Sequence, residues 1–472
     1  MLATLYLLSS ILWANQFNDR GDWLLTPRFT RAQEFLYRGE YSEESLGHGT
    51  RCLRTNKLKS RLLVLAAGDH DFEVAALTLI SQKDEPTDGA HDGQPLFTKL
   101  ETVKFDNAGR MLAPNAKALL APLDGPATIE FGFITEVPRD RIGTGKRWNL
   151  NEDGRTQRTW EVAGTDEVNG ITCVKLVGKQ QSPDWDKPRG DRVGWQRTDT
   201  VWIAPRQGIA QQIERVILRR DPGHDDPTQR LTTKYQLDNT FQYSDDRFEP
   251  RRLEIKQARE FWDTALPLLA NPQRSTTQCD ALLGRIDYHL QKNAETPYRE
   301  AILRVKRRVE AAKRGETFVD VDQTDTTVTI VTVGKPAPDF IAPSMTKQES
   351  TQFKQLTGKP MVMIFYNPAA PSSADVLPFA DTLARKYPQA AIVGMAMSDD
   401  RDKVQEQLTT LKIGIPVLCG TGLFHTYGVE STPKAIIIDD KGFVRETCLG
   451  WSLGVQESIR DELRKCLNPK GR

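Results

Sequence analysis

The sequence predicts a multidomain protein in which a mostly antiparallel β region is followed by a helical hairpin and a C-terminal α/β domain. Short runs of alternating apolar and polar residues, separated by turn residues, extend from about Phe35 to Ile255 and indicate antiparallel strands. Helical periodicity replaces this alternation near Ser275. The C-terminal part contains nearly continuous apolar runs, which are typical of strands that are covered on both faces in α/β sheets.

The chain is long enough to require several domains. Its 472 residues exceed what one hydrophobic core usually serves. Changes in pattern predict a signal peptide over 1–15, a β-rich domain over 16–262, a helical hairpin over 263–317, a linker or edge strand over 318–333 and an α/β domain over 334–472. The β-rich domain has enough predicted strands to form a large sheet or an open barrel.

Three segments of the β-rich domain carry clear strand or turn patterns. The residues 129–137 alternate and predict a strand with one apolar face. Asn169 and Gly170 separate two such runs and predict a two-residue hairpin turn with positive φ at both positions. A further strand is predicted over 252–257.

The β-rich domain also suggests an apolar ligand. The runs 199–205 and 213–216 resemble segments of open-barrel lipoprotein-carrier and lipid-handling envelope domains. Five tryptophans of this domain favour such a ligand if their side chains line the groove. The alternative interpretation is that they take part in ordinary core and loop packing. The tryptophans in question are Trp148, Trp160, Trp185, Trp195 and Trp202.

Two amphipathic helices are predicted between the β-rich and α/β domains. Leu282, Ile286 and Leu290 recur at helical spacing, and the pair Thr296 and Pro297 is typical of the start of a second helix. The second helix has a basic face that is interleaved with glutamates. This mixture indicates a solvated helix surface and not a patch that binds nucleic acid or lipid.

The N-terminal segment predicts export. Met1 to Ala14 are almost wholly apolar or small, and the stretch is too short to span a bilayer. It is similar to the core of a secretory signal, although the first basic residue is Arg20. We therefore expect an exported protein of the bacterial periplasm or cell envelope. The alternatives are a buried N-terminal element or a start codon assigned too far downstream.

Composition limits the partners and cofactors. The chain has 64 basic and 63 acidic residues, so its net charge favours neither nucleic acid nor an anionic membrane. No later run reaches the roughly 18 apolar residues of a membrane span, and an integral membrane protein is not expected. Six cysteines and six histidines are scattered without metal-site spacing. We expect no metal and no cofactor.

The order of elements after residue 334 predicts a thioredoxin core. An apolar strand over 361–366 is followed by a helix over 375–387, a second apolar strand over 390–397 and a helix over 401–411. A strand over 434–438, a hairpin and a terminal helix complete the pattern. This order of two βα units followed by a β-hairpin and a helix is typical of a thioredoxin fold.

Several short motifs make the resemblance more specific. The C-terminal segment resembles the alkyl hydroperoxide reductase and thiol-specific antioxidant superfamily, which includes peroxiredoxins and extracytoplasmic thiol-disulfide oxidoreductases. The matching stretches occur in the family's order and are 333–340, 358–360, Phe365 with Tyr366, 427–429, 431–433, 439–442 and Gly450.

The same resemblance places the redox cysteines of the family on other residues. In the oxidoreductase branch, a Trp-Cys-x-x-Cys motif follows the strand, and its two cysteines fall on Ala370 and Ser373. In the peroxiredoxin register anchored on Pro368, Ser372 replaces the threonine and Asp375 replaces the peroxidatic cysteine. Both registers therefore predict that ordinary cysteine catalysis is lost.

The resemblance also implies a groove for a protein or peptide partner. Thr432 and Pro433 match the cis-proline of the family, beside which extended substrates pair with the backbone. Pro371, Ser372 and Tyr366 are predicted to line the same groove. A structural interpretation, in which the turn only closes the sheet, remains open.

Two functions follow from these observations. The first is a binding protein whose thioredoxin-like domain is redox-inactive. The alternative is a thiol-disulfide oxidoreductase or peroxiredoxin-like antioxidant enzyme that uses displaced cysteines, Cys419 and Cys448. Catalysis by Ser372 or Ser373 would need a base, and the domain contains one histidine, His425.

Overall fold

The structure is a computed structural model. It describes the residues 21–47, 49–82, 97–112, 133–151, 157–183, 185–187, 192–221, 224–270, 276–293, 295–314, 331, 333–424, 426–429 and 431–468. The predicted signal peptide, nearly all of the predicted linker and His425 lie outside this part of the chain.

A large antiparallel sheet forms the N-terminal part, as the sequence predicts. Its order within the described residues is β12-β11-β2-β1-β10-β9-β8-β7-β6-β5, and β3 pairs with β2 and with β4. Two of these strands, β11 Phe340–Pro343 and β12 Ser350–Gln352, come from the C-terminal part of the chain. The strands before the helical region are β1 Gln33–Gly47, β2 Thr50–Ala67, β3 Asp71–Gln82, β4 Phe97–Asp106, β5 Arg147–Asn151, β6 Gln157–Val168, β7 Ile171–Gln181, β8 Gly194–Ala204, β9 Ile209–Arg220 and β10 Gln229–Gln242.

The predicted Asn-Gly turn is confirmed. Val168 pairs with Ile171 across the hairpin of β6 and β7, so that Asn169 and Gly170 are its two loop residues. Both have positive φ, 52° and 75°. A turn of this kind matches the twist of the flanking strands, which explains why the pair is a strong hairpin signal.

The prediction of a strand over 129–137 is wrong for the residues that the structure describes. The residues 133–137 are irregular, and 129–132 lie outside the described part. Phe133 contacts Tyr37 and Tyr235 with ring centroids 4.5 Å and 4.8 Å apart. This segment therefore packs on the apolar face of the sheet and does not extend it.

Three helices follow the sheet: α1 Asp245–Ala270, α2 Thr276–Lys292 and α3 Arg299–Lys313. The last two form the predicted pair, but the strand predicted over 252–257 is wrong because these residues lie within α1. The helices cover the other face of the sheet at β2 and β3, where they share a hydrophobic core cluster with Leu63 and Leu77. Among the described residues, no helix has the length and apolar character needed to cross a membrane.

The C-terminal part has the predicted thioredoxin-like fold around a second sheet of order β15-β14-β13-β16-β17. β13, β14 and β15 are parallel, whereas β16 and β17 are antiparallel to their neighbours. Its elements are β11 Phe340–Pro343, β12 Ser350–Gln352, α4 Phe353–Leu356, β13 Met361–Tyr366, α5 Ser373–Lys386, β14 Ala391–Ala396, α6 Arg401–Thr410, β15 Val417–Cys419, β16 Lys434–Ile438, β17 Val444–Leu449 and α7 Leu453–Leu467.

Candidate functional site

The 367–373 loop joins β13 to α5 and contains the positions that the family resemblance assigns to redox cysteines. The Asn367 side chain accepts a hydrogen bond from the backbone nitrogen of Ala369 at 2.9 Å, which closes a tight turn. The carbonyl oxygen of Ala370 then accepts from the backbone nitrogen of Ser373 at 3.0 Å and from its hydroxyl at 2.8 Å. The loop therefore leads directly into the first turn of α5.

The hydroxyl of Ser373 is held by Gln407, which no sequence motif indicates. Ser373 is buried, and its Oγ accepts a hydrogen bond from Gln407 Nε2 at 2.6 Å. The same nitrogen donates to the carbonyl oxygen of Pro368 at 3.2 Å. Gln407 lies on α6, 34 residues further along the chain, and no local motif marks it as a partner of this loop.

This arrangement cannot activate Ser373 as a nucleophile. A serine hydroxyl needs an adjacent base that removes its proton. Here the hydroxyl proton is directed to the Ala370 carbonyl oxygen, and the group that contacts Oγ from α6 is the amide of Gln407. An amide nitrogen is a donor and not a base. Asp375, the other family position, is exposed in the first turn of α5.

The loop that contains Pro433 lies beside the end of β13. The Thr432–Pro433 bond is cis, as the sequence predicts. β16 begins at Lys434, which pairs with Phe365 of β13, so the antiparallel register places Pro433 opposite Tyr366. The Pro433 carbonyl oxygen accepts from the backbone nitrogen of Gly450 at 2.9 Å. Pro433 is buried and Thr432 is partly exposed.

The predicted groove residues differ in accessibility. Pro371 is exposed and Ser372 is partly exposed, so both lie on the surface beside α5. Tyr366, in contrast, is fully buried in the core, where burial raises the pKa of its hydroxyl. The prediction that Tyr366 lines an accessible groove is therefore wrong. The reason is that β13 is covered on both faces, so a side chain at its last position is buried whichever face it lies on.

Cys419 is buried at the end of β15. Its Sγ donates to Asp399 Oδ1 at 3.2 Å and lies 3.1 Å from Thr421 Oγ1. Burial raises the pKa of its thiol. A reactive cysteine needs an accessible thiolate, and these surroundings favour the protonated thiol.

Cys448 lies at the opposite side of the same sheet. β15 and β17 are the two edge strands, so four strand spacings, or about 19 Å, separate Cys419 from Cys448. A disulfide requires Cα atoms within roughly 7 Å. All six cysteines are free. The structure therefore contradicts a redox pair formed by Cys419 and Cys448 within one molecule.

The tryptophans of the β-rich domain do not share one groove. Trp160 is buried and stacks on Trp148 with ring centroids 6.3 Å apart. Trp202 lies on the other face of the sheet, because its neighbours Val201 and Ile203 belong to the apolar core. Its indole nitrogen donates to Asp166 at 3.1 Å. These contacts agree with ordinary packing, the alternative to an apolar ligand site.

The residues 333–447 match the model of the AhpC/TSA family. The thiol-disulfide oxidoreductase ResA of Bacillus thuringiensis (strain Al Hakam) is 25% identical over 137 residues, which cover 28% of this chain and 78% of that protein. ResA of Bacillus anthracis is similar to the same extent.

Two solved structures are similar to the C-terminal part of this chain. One is a secreted Mycobacterium tuberculosis disulfide oxidoreductase, with 19% identity, coverage of 26% of this chain and 93% of that one, and a TM-score of 0.23. The other is a thiol:disulfide interchange protein of the thioredoxin family from Chlorobium tepidum TLS, with 18% identity, coverage of 28% and 97%, and a TM-score of 0.26. The C-terminal part of this chain thus has a thioredoxin-like fold, and its residues 333–447 are similar to the AhpC/TSA family and to the ResA oxidoreductases.

Proposed function

We propose that the thioredoxin-like domain performs no dithiol chemistry and binds a protein or peptide partner. The observation that carries this proposal is the pair Ala370 and Ser373 at the two cysteine positions of the family. Dithiol exchange needs one thiolate that attacks and a second thiol that resolves the mixed disulfide. Neither side chain supplies a sulfur atom.

The surface around the 367–373 loop supports partner binding. Leu449 and Leu453 are exposed by 58% and 78%, and Leu449 pairs with Lys434, the residue after Pro433. Pro371 is exposed on the α5 side. Apolar side chains of this size in open positions favour contact with a partner. The partner that fits best is an extended peptide segment with apolar side chains.

The full chain is expected to show no turnover in an insulin-reduction assay with dithiothreitol as the electron donor. Without a thiolate at position 370, a substrate disulfide has no nucleophile to meet at this site. A thioredoxin that retains its dithiol, assayed in parallel, controls for the quality of the substrate. Turnover above the dithiothreitol background would overturn the proposal, and the variants Cys419→Ser and Cys448→Ser would then identify the thiol responsible.

We also propose that the protein is exported, because the run from Met1 to Ala14 is apolar and Trp13-Ala14-Asn15 suits a cleavage site. Protein expressed from the full reading frame in a bacterium is expected to start near Asn15 and to be found in the periplasmic fraction. Intact-mass analysis of the purified protein measures the N-terminus. Full-length mass in the cytoplasmic fraction would contradict export, and Leu7→Arg provides a matched control in which the apolar run is interrupted.

A further inference from the structure

At the tip of the β1–β2 hairpin, the backbone of Gly47 packs closely against the backbone of Gly422 in the thioredoxin-like domain. A Cβ atom added to Gly47 would lie 2.7 Å from the backbone nitrogen of Gly422, and one added to Gly422 would lie 2.8 Å from Thr50 Cβ. Neither glycine has positive φ. Glycine is therefore needed at both positions for close packing between the two parts of the chain and not for an unusual backbone conformation.

Two buried hydrogen bonds join the same surfaces. The hydroxyls of Ser45 and Thr426 bond to each other, and both residues are buried. Thr50 Oγ1 donates to the carbonyl oxygen of Cys419 at 3.2 Å, and Thr50 is fully buried. A buried hydroxyl that loses its partner destabilises the fold, so these pairs stabilise the docked arrangement over separated domains.

The sheets of the two parts are also connected through β11. Phe340 and Ile341 of β11 pair with Cys52 and Arg51 of β2. Cys52 is fully buried in a hydrophobic core cluster whose other members lie in the C-terminal part. Ser344, just after β11, forms a bridge with Leu418 of β15. The hairpin therefore contacts the thioredoxin-like domain through backbone pairing, core packing and side-chain hydrogen bonds.

This contact lies at the same end of the C-terminal sheet as the 367–373 loop. β13, β14 and β15 are parallel, so the residues that follow them all lie at the carboxyl ends of these strands. The 367–373 loop follows β13 and Thr421 follows β15. β15 is two strands from β13, and the hairpin tip is therefore about 10 Å from the loop, measured across the strands.

We propose that the β1–β2 hairpin of the same chain is a resident partner of the thioredoxin-like domain. It docks at Cys419, Gly422 and Thr426 and holds the N-terminal sheet and the thioredoxin-like domain as one rigid body in solution. The interpretation of this contact as partner recognition by the thioredoxin-like domain rests on the proposed binding function. The docking itself does not depend on redox activity, and its test measures position only, so the failure of one proposal is distinguishable from the failure of the other.

Disulfide trapping in the full chain tests the docking. In the variant Ser45→Cys with Thr426→Cys, two thiols replace hydroxyls that are hydrogen-bonded to each other. The two sulfur atoms are therefore close enough to form a disulfide. Oxidised glutathione accepts two electrons and two protons from the thiols and becomes two molecules of glutathione. Peptide mapping is expected to show a cross-link between positions 45 and 426.

The matched control is Ser45→Cys with Thr410→Cys. Thr410 is exposed at the end of α6. Because α6 begins near the carboxyl ends of the strands and runs away from them, Thr410 lies at the end of the sheet opposite to the hairpin. Docking holds the first pair at a high effective concentration, so its cross-link is expected to exceed the control by roughly tenfold or more. Equal cross-linking in the two variants would overturn the proposal.

A second variant tests the same contact if the cysteine pair does not fold. Gly422→Val places a side chain against Thr50 and is expected to increase amide hydrogen exchange at 45–52 and 419–426 relative to the unchanged chain. Gly454→Val is its control, because a Cβ there has only Ser452 Oγ nearby, at 3.9 Å. Unchanged exchange at both segments in Gly422→Val would contradict a docked hairpin.

Discussion

The variant Ala370→Cys with Ser373→Cys is expected to gain disulfide-reductase activity. The two positions already occupy the entry and first turn of α5, where the Ser373 backbone nitrogen bonds to the Ala370 carbonyl oxygen at 3.0 Å. The helix N-terminus favours a thiolate, and a second thiol one turn away resolves the mixed disulfide within the molecule. An intramolecular step of this kind raises insulin reduction by roughly a hundredfold or more over either single variant.

The single variants Ala370→Cys and Ser373→Cys are the matched controls, because each has one thiol and cannot form the loop disulfide. The measurement is the rate of insulin reduction with dithiothreitol, together with a thiol count before and after oxidation by oxidised glutathione. A double variant that forms the loop disulfide and still shows no turnover would contradict the expectation that two cysteines at these positions are sufficient for activity. In that case, the surface around the loop would also differ from that of family members that retain the two cysteines.

The C-terminal fold could be predicted because its signals are local. The apolar strand over 361–366 is buried along its whole length, and the neighbouring parallel strand β14 is equally apolar. Strands covered on both faces leave this pattern in the sequence. The hairpin at Asn169 and Gly170 is a second local signal, since positive φ at two consecutive positions restricts the residue types.

Helix α1 was missed because its signals conflict. Over 252–257, Leu253 and Ile255 alternate with charged residues and imitate a strand. The helical pattern extends over the longer window from Phe248 to Phe261, and Pro250, one of the two prolines within α1, interrupts it. A short window therefore favours alternation, whereas contacts with the sheet decide the outcome in favour of a helix.

The parts of the site that sequence could not predict depend on residues far apart in the chain. Gln407 reaches Ser373 from another helix, and Gly47 meets Gly422 across two domains. Neither pair has a fixed spacing or a compositional signal. The position of Cys419 relative to Cys448 also requires the strand order, since sequence distance does not reveal which strands lie at the edges.

A buried carboxylate connects the N-terminal sheet to the helices. Glu34 on β1 is fully buried and bonds to Arg61 Nη1 at 2.7 Å. The hydroxyls of Tyr298 and Tyr243 each donate to it at 2.8 Å. Burial, followed by the charge of Glu34, raises the pKa of the Tyr298 hydroxyl, so it stays a protonated donor at neutral pH.

The variant Glu34→Gln is expected to lower the free energy of unfolding by about 3 kcal/mol, since it leaves the largely buried Arg61 without its opposite charge. Tyr298→Phe, which removes one hydrogen bond to the carboxylate, is expected to cost about 2 kcal/mol. Urea unfolding followed by circular dichroism measures both. Glu161→Gln, which breaks an exposed pair with Arg147, is the control and should cost less than about 1 kcal/mol. If Glu34→Gln costs no more than this control, the buried network does not stabilise the junction of sheet and helices.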